Sequence, residues 1–65
     1  MKDLTPGEME VLKFIAEGRP HKEIGALLFY APESIKNMMK SVKKKLGAKS
    51  VAHAVHIAHQ RGLLD

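Results

Sequence analysis

Residues 21–46 read "HKEIGALLFYAPESIKNMMKSVKKKL", and this stretch decides the fold. Its first eight residues have the pattern of a short helix, the three residues "FYA" break that pattern, and Pro32 opens a longer helix. Five apolar residues of the longer segment fall within an arc of roughly 100° on a helical wheel, and the rest of the wheel is polar. The arc holds Ile35, Met38, Met39, Val42 and Leu46. A short helix, a tight turn and a longer helix with a charged outer face have the proportions of a helix-turn-helix.

Two further helices flank this pair. The first opens with Thr5 as its N-cap and Glu8 three residues later, which is the pattern of a capping box. The last runs from Ser50, another N-cap residue, to a stop at Gly62. The connections are only a few residues long, and we find neither a repeat nor a linker. The sequence therefore predicts an all-α, four-helix domain that occupies residues 1–65.

The short second helix carries three expectations about packing. We expect its apolar side chains to lie together on one side of the helix: Ile24, Leu27 and Leu28. Gly25 in its middle should cost about 1 kcal/mol relative to alanine, which is plausible if another helix crosses closely there. Phe29 and Tyr30 are expected to be turn and core residues beneath the two central helices.

Charge is distributed unevenly along the chain. Residues 1–35 hold four basic and six acidic side chains, whereas residues 36–65 hold seven basic and one acidic. A strongly basic second half indicates a polyanionic partner, and the competing interpretation is a merely solvated lysine face.

The outer face of the third predicted helix fits duplex DNA. An α-helix fits the major groove, where lysine can donate to guanine, asparagine can pair with adenine and glutamate can accept from cytosine. The candidates for base contacts are Glu33, Lys36, Asn37 and Lys40. The candidates for phosphate contacts, which add affinity and salt dependence, are Lys22, Lys43, Lys44, Lys45 and Lys49. No aromatic residue interleaves these lysines, which favours duplex DNA over single-stranded nucleic acid.

Several other classes of protein are disfavoured. The chain has no cysteine, no apolar run long enough to span a membrane and no signal-peptide core, so we expect a cytoplasmic protein. No nucleophile–base pair or glycine-rich phosphate loop is present, so we expect neither catalysis nor a cofactor. His53 and His56 have ligand-like spacing on a helix, but no carboxylate or cysteine nearby completes a metal shell.

Four segments together resemble the LuxR-type (NarL/FixJ, GerE-like) DNA-binding domain. They are "LTPGEMEVLKFIAEG", "KEIGALLF", "PESIKNMM" and "KKLGAKSVAHAV", and the resemblance extends from Leu4 to Leu64. It implies that the third helix reads the major groove and that the fourth helix pairs two copies on DNA. We expect the dimer face to comprise His53, His56, Ile57 and Gln60, which form a second face of the fourth helix.

The sequence departs from the family pattern in the helix-turn-helix itself. Pro20 and Ala31 stand where residues that cap the two central helices are usual, and each missing cap should cost about 1 kcal/mol. Gly25 replaces the usual alanine, and Met38 replaces a common histidine. None of these departures removes a basic residue from the groove-facing side.

Three functions remain in competition on the sequence alone. The first is a transcription regulator that binds duplex DNA sequence-specifically as a homodimer, across half-sites about one helical turn apart. The second is an adaptor that binds RNA polymerase or another regulator, in which case the lysine face is incidental. The third is a non-specific, nucleoid-associated DNA binder, whose affinity would fall steeply with salt.

Overall fold

A computed structural model, which describes residues 4–64, contains four α-helices joined by short connections. Their bounds are Pro6–Ala16 (α1), His21–Leu28 (α2), Pro32–Leu46 (α3) and Val51–Gln60 (α4). Helix α3 is the centre of the arrangement because the most extensive contacts of each of the other three helices are with it. The predicted all-α helix-turn-helix class is confirmed, while the predicted domain limits of 1 and 65 lie outside the described residues.

Local signals in the sequence set most of the helix ends. The Thr5 hydroxyl accepts from the Glu8 amide at 3.1 Å, and Glu8 Oε1 accepts from the Thr5 amide at 2.9 Å, so the capping box is complete. Ser50 Oγ accepts from the His53 amide at 3.0 Å at the start of α4. At the end of α3, Gly47 adopts the left-handed conformation with φ 68°.

The two central helices begin without side-chain caps, as the sequence predicted. Pro20 precedes α2 and Ala31 precedes α3, and neither side chain accepts a hydrogen bond from the first turn. In α3, Pro32 has no amide proton and the Ser34 amide donates to the carbonyl of Ala31 at 2.9 Å, so the first turn depends little on a side-chain cap.

One hydrophobic core connects the four helices. Its fully or nearly fully buried members are Val11, Leu12, Ile24, Ile35, Met39, Val42, Leu46, Ala54, Ala58 and Leu64. The apolar arc predicted for α3 supplies four of them, and Met38, the fifth residue of that arc, is partly buried against them. The core therefore fixes which side of α3 faces outward. Among residues 4–64, no helix has the length and apolarity needed to cross a bilayer.

The packing predicted for the second helix was wrong at three residues. Leu27 is 48% exposed, although it was expected to lie together with Ile24 and Leu28. Phe29 is 94% exposed and Tyr30 is 44% exposed, although they were expected to be turn and core residues. Helix α2 is only two turns long, and Ile24 and Gly25 form its buried face, so Leu27 points away from the core. Phe29 follows the last residue of the helix with φ 61°, which turns its ring into solvent.

The expectation for Gly25 was half right. Its backbone is closely approached, but the neighbour is the turn after α2 and not a crossing helix. A Cβ at this position would lie 2.4 Å from the carbonyl oxygen of Tyr30. The Tyr30 amide donates to the carbonyl of Gly25 at 2.8 Å, so the turn folds back directly over the glycine.

Candidate nucleic-acid interface

The outward side of α3 forms a polar surface, which we call the outer face. Its exposed residues are Glu33, Lys36, Asn37, Lys40 and Lys44. All four predicted base-contacting residues therefore lie on one accessible side of one helix, opposite the buried arc. The turn Phe29–Ala31 and helix α2 precede this face, as in a helix-turn-helix.

The positive charge of the outer face is not neutralised within residues 4–64. The ion pairs of this part of the chain join Arg19 to Glu17 and Glu23, and Lys45 to Glu8. Arg19 also lies over the ring of Phe14, with its guanidinium carbon 5.3 Å from the ring centroid. The acidic side chains near α2 thus form ion pairs with Arg19. The lysines of the outer face therefore produce a positive potential that can attract an external anion.

A shallow depression of about 200 Å3 borders the outer face. It is lined by His21, Lys36, Met39, Lys40, Lys43 and Val51. His21 and Val51 are the first residues of α2 and α4, so two helix N-termini meet three lysines at this place. Helix N-termini and ammonium groups both attract anions, and the depression is therefore suited to an anionic group.

His21 was not among the residues predicted from the sequence to contact DNA. It lies outside the lysine helix, and only the packing of α2 beside α3 brings it to the depression. The one signal available was its position at the start of a helix that lacks a side-chain cap.

The predicted phosphate contacts separate into two groups. Lys22, Lys44 and Lys49 are exposed, and Lys43 is half-buried at the rim of the depression. Lys45 differs from all of them, because its Nζ donates to Glu8 Oε1 at 2.6 Å and its side chain is only 20% exposed. Lys45 thus points toward α1, away from the outer face.

The partner of Lys45 is the one buried charged side chain among the described residues. Glu8 is 6% exposed. Burial alone raises the pKa of this carboxyl, but hydrogen bonds from Lys45, the Thr5 amide and Ser41 outweigh it and lower the pKa from 4.5 to about 2. A signal for the burial of Glu8 was present in the sequence: it lies four residues before Leu12, on the buried side of α1, where a carboxylate needs a partner.

The face predicted for pairing two copies is not uniform. His56 and Gln60 are exposed, whereas Ile57 is partly buried against the core. His53 is half-buried, and its Nδ1 accepts from the Lys49 amide at 3.1 Å, which ties its ring to the start of α4. Among residues 4–64, no three His, Cys, Asp or Glu side chains gather closely enough to hold a metal ion.

The fold and this surface define a class: a helix-turn-helix module with a basic recognition helix. Comparison with known proteins agrees, since residues 2–58 match the model of the bacterial regulatory proteins, luxR family (GerE). The chain belongs to this family, as its resemblance indicated. Membership confirms a DNA-binding module of the kind found in transcription regulators, and not an enzyme.

Relatives of the chain are bacterial transcription regulators. It is 43% identical over 61 residues to the transcriptional regulatory protein YdfI of Bacillus subtilis. The aligned region covers 94% of this chain and 29% of that protein. It is 37% identical over 60 residues to the nitrate/nitrite response regulator protein NarL of Escherichia coli, and the aligned region covers 92% of this chain and 28% of that protein. The transcriptional regulatory protein LiaR of B. subtilis is 34% identical over 64 residues, and the aligned region covers 98% of this chain and 30% of that protein. The chain thus spans less than a third of the length of these relatives.

Proposed function

We propose that this protein binds duplex DNA sequence-specifically, with α3 in the major groove, and regulates transcription. The observation that carries the proposal is the outer face of α3, where Lys36, Asn37 and Lys40 are exposed together and no acidic partner among residues 4–64 engages the two lysines. The family and its regulators support the same function.

The side chains proposed to contact bases lie in the first three turns of α3. Lys36 and Lys40 are suited to guanine O6 and N7, Asn37 to adenine, and Glu33 to the amino group of cytosine. Each good contact contributes about 1–3 kcal/mol of discrimination between bases. Specificity therefore depends on a few side chains of one helix.

Phosphate binding falls to the rim of this face. We place a backbone phosphate in the depression beside His21, Lys43 and Val51, where the starts of α2 and α4 add partial positive charge. Lys22, Lys44 and Lys49 then contact phosphates further along the duplex. These contacts add affinity that depends on salt and not on sequence.

Two copies are proposed to bind side by side through α4. The Cα atoms of the domain extend 28 Å along its longest axis, which is comparable with the separation of about 34 Å between half-sites one helical turn apart. Exposed His56 and Gln60 would lie at the centre of the contact, flanked by His53 and Ile57.

Selection from a random duplex pool at near-physiological salt tests the proposal. We expect an enriched, roughly palindromic motif, and we expect Lys36→Ala and Lys40→Ala to weaken binding to it or relax it at defined positions. Lys13→Ala, which removes an exposed lysine from α1, serves as the charge-matched control and should retain the motif. Retention without enrichment would contradict specificity and favour the nucleoid-associated alternative.

A second candidate function is supported by the exposed apolar residues of the α2–α3 region. Leu27, Phe29 and Tyr30 are the exposed large hydrophobic residues of the described chain, and they fall within four positions of one another. Such residues are typical of protein contacts, so an adaptor that binds RNA polymerase or another regulator is the alternative. If no duplex is retained in the selection, this alternative takes first place.

A further inference from the structure

One carboxylate joins the first turn of α1 to the second half of α3. Glu8 Oε1 accepts from the Thr5 amide at 2.9 Å and from Lys45 Nζ at 2.6 Å. Ser41, one turn before Lys45 on α3, also helps to lower the pKa of this carboxyl. We call Thr5, Glu8, Ser41 and Lys45 the Glu8 cluster. It contains two residues of α3 one turn apart, and both face α1.

The Glu8 cluster lies on the side of α3 away from the outer face. At 100° per residue, Lys45 lies about 180° around the helix from Lys36 and about 140° from Lys40. Its neighbour Lys44 is exposed on the outer face, so adjacent lysines of the run point in different directions. A phosphate that contacted Lys45 would have to displace a buried carboxylate at 2.6 Å.

We propose that the Glu8 cluster sets the rotation and tilt of α3 against α1 and so presents the outer face to DNA. Lys45 is then a positioning residue, in contrast to the phosphate contact that was predicted from its place in a lysine run. This inference depends on the proposed function, since it concerns how the recognition helix is held. It assigns Glu8, an acidic residue on another helix, a positive effect on the binding of a polyanion.

The sign of the Glu8 effect separates positioning from simple electrostatics. Replacing Glu8 with glutamine removes a negative charge, which by attraction alone would strengthen DNA binding. Glutamine can still accept the capping bond from the Thr5 amide, so the N-terminus of α1 is retained. Positioning predicts the opposite result: Glu8→Gln weakens the bond to Lys45, lets α3 shift and reduces affinity.

The experiment measures duplex affinity against salt for five proteins. They are the unsubstituted chain, Glu8→Gln, Lys45→Gln, the double variant and Lys44→Gln. The duplex is the motif enriched in the selection, or a mixed-sequence duplex if none is enriched. Circular dichroism at each salt concentration verifies that the variants are folded at the temperature used.

We expect Glu8→Gln and Lys45→Gln each to weaken binding by about tenfold, the loss of roughly one base contact. The double variant should bind no more weakly than either single variant, because both act through one interaction. Lys45→Gln should leave the slope of log affinity against log salt unchanged, while Lys44→Gln should reduce its magnitude by about 0.9. Ser41→Ala, which alters no charge, is the milder test if Lys45→Gln does not fold, and it should weaken binding at every salt concentration.

Two results would overturn the positioning role alone. One is a Glu8→Gln protein that binds as tightly as the unsubstituted chain or more tightly. The other is a Lys45→Gln protein whose salt slope falls like that of Lys44→Gln, which would make Lys45 a phosphate contact. If the unsubstituted protein retains no duplex, the proposed function itself fails, and the positioning role fails with it.

Discussion

At the scale of the residue, the turn of the helix-turn-helix contains a strained backbone conformation. Phe29 has φ 61° and is 94% exposed, although the left-handed conformation after a helix usually belongs to glycine. The Cβ of a residue with a side chain makes this conformation cost about 1 kcal/mol or more. The ring gains no burial in return, so Phe29 lowers the stability of the free protein.

We expect Phe29→Gly to stabilise the fold by about 1 kcal/mol, because glycine adopts this conformation without strain. The measurement is the free energy of unfolding in urea. Phe29→Ala is the matched control, since it removes the ring but keeps the Cβ, and it should give little or no gain. Equal stabilisation by both substitutions would locate the cost in the exposed ring and not in the backbone.

Gly25 gives the opposite prediction one turn earlier. Alanine is the better helix former by about 1 kcal/mol, but its Cβ would lie 2.4 Å from the backbone oxygen of Tyr30. A backbone atom cannot move as a side-chain end can, so we expect Gly25→Ala to destabilise the protein by about 1–3 kcal/mol.

The control for this substitution is Gly7→Ala in α1. There the new Cβ would meet the flexible end of Met38 at 3.3 Å, and stability should change little or rise slightly. Thermal unfolding of both variants checks the contrast. A Gly25→Ala protein that is more stable than the parent would show that the turn can move away at low cost.

At the scale of the element, α4 combines two structural tasks along its length. Ala54 and Ala58 belong to the core, and the ring of His53 accepts from the Lys49 amide before the helix starts. His56 and Gln60, one turn apart, are exposed and have no such task. They are therefore the positions at which pairing of two copies can be tested without damage to the fold, whereas Ile57 contacts the core.

We expect the double substitution His56→Glu and Gln60→Glu to abolish pairing of the protein on DNA, because like charges would face each other across the contact. Sedimentation on a two-half-site duplex gives the stoichiometry. Lys13→Glu, which changes the net charge by the same amount near neutral pH but lies on α1, should still bind as two copies. Unchanged stoichiometry in the double variant would place the contact elsewhere.

At the scale of the whole molecule, a single buried carboxylate makes stability depend on acidity. The pKa of Glu8 is about 2 in the fold and 4.5 without it. A group whose pKa is lowered by folding contributes its stability above its unfolded value and loses it as the pH falls toward the folded value. The contribution of Glu8 is therefore complete above pH 4.5 and is lost between pH 4.5 and about 2.

We expect the full loss to reach roughly 3 kcal/mol, as the size of the pKa shift implies, and about 2 kcal/mol of it to have occurred by pH 3. Urea unfolding at pH 6 and at pH 3 gives the difference for the unsubstituted chain and for Glu8→Gln. The substituted protein should be less stable at pH 6 and should lose less on acidification. Parallel pH profiles for the two proteins would mean that other carboxyl groups cause the acid sensitivity.

Helix ends and the inner face of α3 could be predicted because their causes are local. Thr5 and Ser50 cap the amides that follow them within three residues, and Gly47 ends α3 through its own backbone. The exposure of Leu27 could not be predicted in this way, since a helix of only two turns can pack against a core in more than one rotation about its own axis. The partner of Lys45 lies 37 residues away, and only tertiary packing identifies it.

That separation along the chain also has a consequence during synthesis. Glu8 leaves the ribosome well before Lys45. The Glu8 carboxylate therefore has no ion-pair partner on α3 until nearly all of that helix has emerged. In the nascent chain the Glu8 carboxylate is solvated by water, and it loses this solvation only when it becomes buried beside Lys45. The domain thus gains its closing contact and its DNA-facing helix in the same late step, and a prematurely terminated chain would possess neither.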